Sequence, residues 1–174
     1  MNLQVKKLSE HAIIPTKAHA TDSGFDLYAS DDVYIKPGET AIVPTDIAIK
    51  LPEGYEAQIR PRSGVTSKTK LRVQLGTIDN AYTGALGIIV DNISTEYLFL
   101  PPQMRGVHSE YVKLVDGFRS RTINKHMEGT YLVRKGDKIA QLVVQPVALP
   151  QLVEVADLDE TDRGESGFGS SGTR

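Results

Sequence analysis

The chain has 174 residues, of which 40% are hydrophobic, and a formal net charge of −2 at pH 7. This length suits one domain with a core of its own. The absence of cysteine excludes disulfide scaffolds, cysteine nucleophiles and thiolate zinc sites. The near-neutral charge argues against a duplex-binding protein, and no apolar run approaches the roughly 18 residues of a membrane span. With no signal-peptide pattern at the start, the sequence predicts a soluble, cytoplasmic protein that binds neither nucleic acid nor membrane.

Short segments rich in valine and isoleucine, separated by turn signals, predict an all-β protein. Turn pairs such as Pro37-Gly38 recur at intervals of about 8–12 residues, which is typical of sandwiches and barrels. The predicted strands are 3–6, 33–35, 41–43, 47–49, 55–60, 71–75, 86–91, 131–134 and 139–147.

Two segments have a helical pattern. Residues 63–69 form a short helix that Ser63 can cap through its hydroxyl group. The second is 109–118, in which apolar residues recur at i, i+3, i+4 and i+7, although Gly117 weakens the prediction. These apolar residues are Tyr111, Leu114, Val115 and Phe118.

The final segment, 163–174, alternates glycine with serine. This composition is typical of a disordered tail. Arg163 and Phe168 suit instead an arm that closes over a ligand, because glycines let the backbone approach phosphate oxygens. The composition alone leaves both interpretations open.

Three further stretches carry polar groups next to predicted strands. Pro61-Arg62-Ser63-Gly64 places a cation and a hydroxyl at a predicted helix start, which suits phosphate, although an ordinary turn has the same residues. The predicted hairpin 76–84 holds Asp79 and Tyr82, and it too is compatible with a plain turn. Gln141 is a polar residue in an apolar strand, where a rim position is the alternative.

Five stretches of the sequence, taken in chain order, resemble the five motifs of the trimeric deoxyuridine triphosphatase (dUTPase) family. The similar segments are 20–29, 61–64, 76–84, 136–142 and 163–172. Ser166 stands where the family usually has glycine. Asp79 and Gln141 are 62 positions apart, roughly twice the spacing of compact members, and the excess in 91–130 is similar to the insertion of some bacteriophage dUTPases.

The resemblance implies a jelly-roll-like β-barrel, all-β apart from one short helix after the second motif. It implies a core of residues 1–90 and 131–162, an inserted segment 91–130, and an arm 163–174 that closes over the active site. It also implies a homotrimer whose sites are shared between subunits.

The resemblance further implies hydrolysis of dUTP to dUMP and pyrophosphate with Mg²⁺, which keeps uracil out of DNA and supplies dUMP for thymidylate synthesis. Asp79 is implied as the base for water attack on the α-phosphate, and an ordinary aspartate is ionised at pH 7. Asp26 is implied to reach the Mg²⁺ through water. The implied substrate-binding residues are Arg62, Ser63, Gly64, Gly76, Thr77, Ile78, Asp79, Tyr82, Gln141, Arg163, Phe168, Gly169 and Ser170.

Two alternatives remain. A dCTP deaminase shares the fold but lacks the hairpin motif around Asp79 and Tyr82. A regulatory protein would use 91–130 to bind a repressor-type partner, since this neutral segment contains several aromatic residues. These aromatic residues are Tyr97, Phe99, Tyr111 and Phe118, which a decorative hairpin would pack on its own barrel instead.

Overall fold

The computed structural model describes residues 2–95, 98, 108–162 and 164. These residues form twelve strands and one short helix. The elements are β1 (Gln4–Lys7), β2 (Gly24–Tyr28), β3 (Val33–Ile35), β4 (Thr40–Lys50), β5 (Tyr55–Pro61), α1 (Ser63–Lys68), β6 (Leu71–Val73), β7 (Gly76–Ile78), β8 (Ala85–Asn92), β9 (His108–Leu114), β10 (Arg119–Met127), β11 (Tyr131–Val133) and β12 (Lys138–Pro146). The predicted all-β class is confirmed, as is the helix after the second motif.

The strands form three four-stranded sheets with the orders β1-β4-β8-β6, β2-β12-β5-β7 and β10-β9-β11-β3. Neighbouring strands pair antiparallel, except that β9 and β11 pair parallel. The β9–β10 hairpin, which lies in the predicted insertion, therefore extends a sheet that also contains β3 and β11.

Alternating side chains from all three sheets pack into one main core. In β4, Val43, Thr45 and Ile47 point inward and are almost fully buried. Each buried aliphatic side chain contributes about 1.5–3 kcal/mol. The fully buried aliphatic residues of this core include Leu27, Ile35, Val43, Ile47, Ile49, Leu51, Leu71, Ile88, Val90, Ile139 and Leu142.

The predicted helix at 109–118 is wrong, because these residues form strand β9 and the turn after it. Val112 and Leu114 are buried and pack with Leu132 in a small second cluster, whereas Tyr111 is exposed. Alternation therefore governs this segment, and pairing with both β10 and β11 satisfies its backbone. Gly117 has φ +91° and forms the hairpin turn.

The predicted cap of α1 is also wrong. The helix begins at Ser63, so its N-cap is Arg62, and no side chain bonds to the first free amides. Strands β2, β7 and β10 were not predicted, because β2 and β7 are short and begin with glycine and β10 is mostly polar. Among the described residues, no helix is long and apolar enough to span a membrane.

Candidate active site

The sheet β2-β12-β5-β7 positions four of the five predicted motifs. Asp26 lies on β2, and Gln141 pairs with it from β12. Strand β5 leads directly into Arg62, and β7 is the segment Gly76–Ile78 that precedes Asp79. The first and third motifs are thus at opposite edges of this sheet, separated by three strand spacings, or roughly 14 Å.

The predicted phosphate-binding residues line one cavity of about 400 Å³, called here the Arg62 cavity. Arg62 and Asp26 form an ion pair within it, and its lining includes Asp26 of β2 and Gln141 of β12. Its lining residues are Ala18, Asp22, Ser23, Gly24, Asp26, Arg62, Ser63, Gly64 and Gln141. The structure therefore brings together the predicted residues Arg62, Ser63, Gly64, Gln141 and Asp26.

The carboxylate of Asp26 lies between two cations. Arg62 Nε is 2.8 Å from Oδ1 and Lys138 Nζ is 2.8 Å from Oδ2, while the Asp26 side chain is only 13% exposed. Arg62 Nη1 also donates to the carbonyl of Lys138 at 3.0 Å. The hydrogen bond to Asp26 raises the pKa of Lys138 above its ordinary value of 10.5. These bonds fix the Arg62 guanidinium and leave Nη2 without a partner among the described residues.

Gln141 is held across the backbone of Gly24. Its Nε2 donates to the carbonyl of Pro61 at 2.9 Å. A Cβ atom at Gly24 would lie 2.5 Å from Gln141 Oε1, so a larger residue at position 24 would displace the amide. This arrangement holds Gln141 beside Asp26 in the Arg62 cavity.

The hairpin motif lines a different cavity of about 270 Å³, called here the Asp79 cavity. Tyr82 Oη donates to the carbonyl of Ala85 at 2.9 Å, and a Cβ at Gly84 would collide with the tyrosine ring. The lining residues are Ile59, Gly76, Thr77, Ile78, Asp79, Tyr82, Ala85, Leu86, Gly87 and Ile89. The predicted residues Gly76, Thr77, Ile78, Asp79 and Tyr82 are therefore brought together, and the two cavities share no residue.

Sequence reasoning missed two residues that hold the predicted ones. Lys138 follows Asp137 in the fourth motif, but its contact with Asp26 depends on a strand register that the sequence does not reveal. Asn80 Nδ2 donates to the carbonyls of Leu51 and Pro52, at 3.0 and 2.6 Å, and so anchors the turn after Asp79. A polar residue beside a predicted catalytic acid is the only signal for Asn80.

The described residues contain no cluster of three or more potential metal ligands. Both oxygens of Asp26 are in ion pairs, and Oδ2 of the nearby Asp22 accepts the His19 N–H at 2.9 Å. This donor set does not suit direct coordination by several carboxylates. It suits an Mg²⁺ ion that keeps its water ligands and is held mainly by the substrate's phosphates.

The predicted arm residues Arg163, Phe168, Gly169 and Ser170 lie outside the described residues. So do Tyr97 and Phe99 of the predicted insertion. Of the aromatic residues in 91–130, Tyr111 and Phe118 are described, and both are exposed.

Comparison with known sequences gives one consistent result. The family model described as dUTPase matches residues 10–105 and 123–172 and leaves 106–122, within the predicted insertion, unmatched. A deoxyuridine 5'-triphosphate nucleotidohydrolase of Gloeothece citriformis is 39% identical, with 99% of this chain and 97% of that protein covered. One of Clostridioides difficile is also 39% identical, with 98% of each protein covered.

Comparison with solved structures agrees. A point mutant of the Staphylococcus bacteriophage 80alpha dUTPase with dUpNHpp aligns with a TM-score of 0.88 at 37% identity, covering 98% of each chain. A point mutant of the dUTPase from phage phi11 of S. aureus, described with a structural Mg(II) ion, aligns with a TM-score of 0.83 at 37% identity, covering 90% of this chain and 98% of that one. The chain therefore belongs to the dUTPase family, with the family's jelly-roll-like fold and its nucleotidohydrolase activity on dUTP.

Proposed function

We propose that the chain forms a homotrimer in which the Arg62 cavity of one subunit and the Asp79 cavity of another make one active site for dUTP. The observation that carries this proposal is the separation of the two cavities within a single chain. One cavity holds the cation and amide groups that suit phosphates. The other holds the carboxylate, the tyrosine and an apolar wall that suit a nucleoside.

In the proposed reaction, Asp79 removes a proton from a water molecule that attacks the α-phosphorus. The new P–O bond forms as the bond to the bridging oxygen of the β-phosphate breaks, so that pyrophosphate leaves and dUMP remains. In-line displacement needs an aligned water and cations over the phosphate oxygens. General-base catalysis of this kind contributes roughly 10²–10⁴-fold in rate.

The Arg62 cavity supplies the groups that hold the phosphates and the water. Arg62, fixed at Nε and Nη1, offers the N–H groups of Nη2 to phosphate. Ser63 contributes its hydroxyl and Gly64 its backbone N–H. Gln141 Oε1 is the acceptor that orients the water. When the magnesium nucleotide is bound, Asp26 would hold its Mg²⁺ through water, and the ion would supply positive charge over the phosphate oxygens.

The Asp79 cavity selects the deoxynucleoside. Tyr82, fixed by its bond to the Ala85 carbonyl, lies under the deoxyribose, where a 2′-hydroxyl would collide with the ring. The backbone of Gly76, Thr77 and Ile78 reads the uracil edge and leaves no room for the methyl group of thymine. Because backbone groups do the reading, the cavity needs no distinctive base-binding side chain.

An exposed apolar sheet face supports the shared site. Ile42 on β4 and Ile89 on β8 pair directly, and both are exposed, as is Leu75 after β6. Ile89 also lines the Asp79 cavity, so a subunit docked on this face reaches that cavity. Burial against another subunit removes apolar surface that water disfavours. The number of subunits, three, rests on the family resemblance.

The arm completes the proposed site. Arg163 meets the γ-phosphate and Phe168 stacks over uracil, while Gly169 and Ser170 approach the phosphates. Stacking of an aromatic side chain on a base contributes about 1–3 kcal/mol in single-strand binding proteins, and ordering the arm offsets part of this. This element rests on the match of 163–172 to the fifth motif.

Pyrophosphate release from dUTP, dTTP, UTP and dCTP, each with and without Mg²⁺, tests the proposal. We expect release from dUTP alone, and only with Mg²⁺. Equal pyrophosphate release from UTP would show that Tyr82 does not exclude nucleotides with a 2′-hydroxyl. Ammonia release from dCTP would favour the deaminase alternative.

A mixture of Asp79→Asn and Arg62→Ala chains tests whether the active site is shared between subunits, because reassembled trimers should regain activity that neither variant has alone.

The inserted hairpin supports a second proposed role, binding of a regulatory protein. Tyr111 on β9, Phe118 in the turn after it and Ile123 on β10 are exposed, and β10 is an edge strand. The 80alpha phage dUTPase is described among phage dUTPases that control transfer of virulence genes by a proto-oncogenic G protein-like mechanism. Capture of a purified phage-type repressor should weaken at least about tenfold in a Phe118→Ser, Ile123→Ser variant. Unchanged capture, or none by the wild type, would contradict this role.

A further inference from the structure

The turn between β9 and β10 contacts the helix that follows the second motif. Gly117, at φ +91°, lies so close to α1 that a Cβ atom there would be 3.3 Å from the Lys68 carbonyl oxygen and 3.5 Å from Lys68 Cβ. A side chain at this position would be strained by the positive φ, and Lys68 would have to shift by a few tenths of an ångström to accept it. The turn of the inserted hairpin therefore packs on the C-terminal end of α1.

Local bonds and core packing hold this turn rigid. Gly117 N–H donates to the Leu114 carbonyl at 3.0 Å, and Leu114 N–H donates to the Phe118 carbonyl at 2.8 Å. Phe118 N–H donates to Asp116 Oδ1 at 2.9 Å. Val115 packs against the main core, whereas Leu114 belongs to the second cluster. The turn thus joins the inserted hairpin to the barrel at this point.

Helix α1 is short, and the turn adds to a limited set of contacts that hold it. It has six residues, no side-chain cap, and only Val65 buried. Besides the turn, the Thr69 hydroxyl donates to the Val65 carbonyl at 2.7 Å and Arg72 Nη1 to the Thr66 carbonyl at 3.4 Å. Isolated helices shorter than about 12–15 residues are marginal in water. Its first residues, Ser63 and Gly64, and its N-cap, Arg62, are the proposed phosphate-binding groups.

A third cavity lies between the turn and the phosphate-binding groups. It has a volume of about 310 Å³ and is bounded by α1, by Lys138 and by Val115 and Asp116 of the turn. It shares Arg62 and Gly64 with the Arg62 cavity. The turn and two of the proposed phosphate-binding residues therefore line the same cavity.

We propose that the turn of the inserted hairpin, residues 115–118, is a positioning element for the phosphate site. It holds α1, and through α1 it sets the positions of Arg62, Ser63 and Gly64. This inference rests on the proposed function. It makes the insertion part of the support of the active site and distinguishes it from a surface decoration.

Gly117→Ala tests the inference, with Gly129→Ala as the matched control. Both glycines have positive φ, +91° and +88°, and both lie within the predicted insertion 91–130. A Cβ at Gly129 would meet Pro37 Cγ at 3.1 Å and has no close contact with α1. The two variants therefore carry similar backbone strain, and only Gly117→Ala presses on α1.

We expect Gly117→Ala to raise the KM for dUTP and the Kd for dUpNHpp roughly tenfold, because small misplacements of binding groups are costly. The Kd for deoxyuridine, which lacks phosphates, should stay within about twofold of wild type. Gly129→Ala should leave all three constants near wild type. Equal effects of the two variants, or equal losses of deoxyuridine and dUpNHpp affinity, would overturn the inference.

A second variant keeps the test decisive if Gly117→Ala unfolds. Val115→Ala removes packing without backbone strain and should show the same selective loss of dUpNHpp affinity, with Val115→Ile restoring it. Wild-type dUpNHpp affinity in a folded Val115→Ala protein would overturn the inference. A wild-type chain that fails to hydrolyse dUTP would count against the proposed function, and the comparison of dUpNHpp with deoxyuridine would still decide the role of the turn.

Discussion

Lys138 contacts Asp26 and Arg62 through different atoms, its ammonium group 2.8 Å from Asp26 Oδ2 and its carbonyl accepting the Arg62 Nη1 donor at 3.0 Å. One residue of β12 therefore orients both the acid that we assign to Mg²⁺ and the cation that we assign to phosphate. Contacts of this kind around a ligand-binding group are worth about 10–100-fold in affinity or activity.

Lys138→Met should lower kcat/KM for dUTP by about 10–100-fold and raise the Mg²⁺ concentration needed for half-maximal activity. The physical reason is that Asp26 Oδ2 loses its ammonium partner, whereas the carbonyl of residue 138, and with it the bond from Arg62, remains. Lys138→Arg keeps a cation beside Asp26, so most of the activity should be retained. Steady-state kinetics across an Mg²⁺ titration provides the measurement, and a Met variant with wild-type Mg²⁺ dependence would contradict it.

Asp79→Asn should reduce kcat by roughly 10²–10⁴-fold while the Kd for dUpNHpp changes little. The amide keeps the shape of the side chain but accepts no proton from water. Single-turnover hydrolysis and equilibrium binding measure the two effects. Asp157→Asn, at an exposed position, serves as control, and near-normal turnover of the Asp79 variant would remove Asp79 from the base role.

Asn80→Ala should lower kcat more than it raises KM, because the turn after Asp79 loses its two bonds to Leu51 and Pro52. The same loss should reduce the free energy of unfolding by about 1–3 kcal/mol. Kinetics and urea denaturation give both values. Asn124→Ala, at an exposed position of β10, is the matched control, and identical behaviour of the two variants would argue against an anchoring role.

Removal of residues 163–174 should nearly abolish dUTP hydrolysis without lowering the thermal midpoint of unfolding. The described barrel has its core without these residues, whereas the proposed site loses Arg163 and Phe168. Calorimetry and pyrophosphate release together check this expectation. A truncated chain with full activity would return the segment to the interpretation of a disordered tail.

Asp137 gives a prediction for the pH dependence of stability. Burial raises the pKa of Asp137 above its ordinary value of 3.8, and nearby Asp116 and Asp32 add to the shift, although the Arg134 N–H and charge oppose it. The folded state then binds the proton more tightly than the unfolded state, so this group makes the protein less stable as pH rises through that range.

Asp137→Asn removes this dependence and keeps an acceptor for the Arg134 N–H. The free energy of unfolding of the variant, relative to wild type, should therefore increase between about pH 3 and pH 7. Denaturant titrations at several pH values measure it. A wild type that gains stability over the variant as pH rises would reverse the sign and contradict the assignment.

The sequence indicated candidate site residues through their motifs, but it did not predict the contacts that hold them. Asp79, Tyr82 and Gln141 lie in motifs whose order carries the family resemblance, and the structure places each in one of two cavities. The pairing of Lys138 with Asp26 depends on a register shift between Lys138 and Ala140. No pattern within one strand encodes such a shift.

The wrong helix in 109–118 has a similar cause. Its apolar residues satisfy the helical spacing, but Val112 and Leu114 also alternate, and the short segment fits both periods. The partner that decides between them, Leu132, is far away in sequence. The contacts of Val112 and Leu114 with Leu132 therefore stabilise the strand over the helix.

The parallel pairing of β9 with β11 has a practical consequence for dissecting this protein. Deleting residues 106–122 would remove β9, and the backbone N–H and C=O groups of β11 that pair with β9 would be exposed to solvent. An edge strand with unpaired backbone groups pairs with strands of other chains and promotes aggregation. Single substitutions of exposed residues in β9 and β10, which preserve this pairing and leave the turn 115–118 unchanged, are consequently the safer way to separate catalysis from partner recognition.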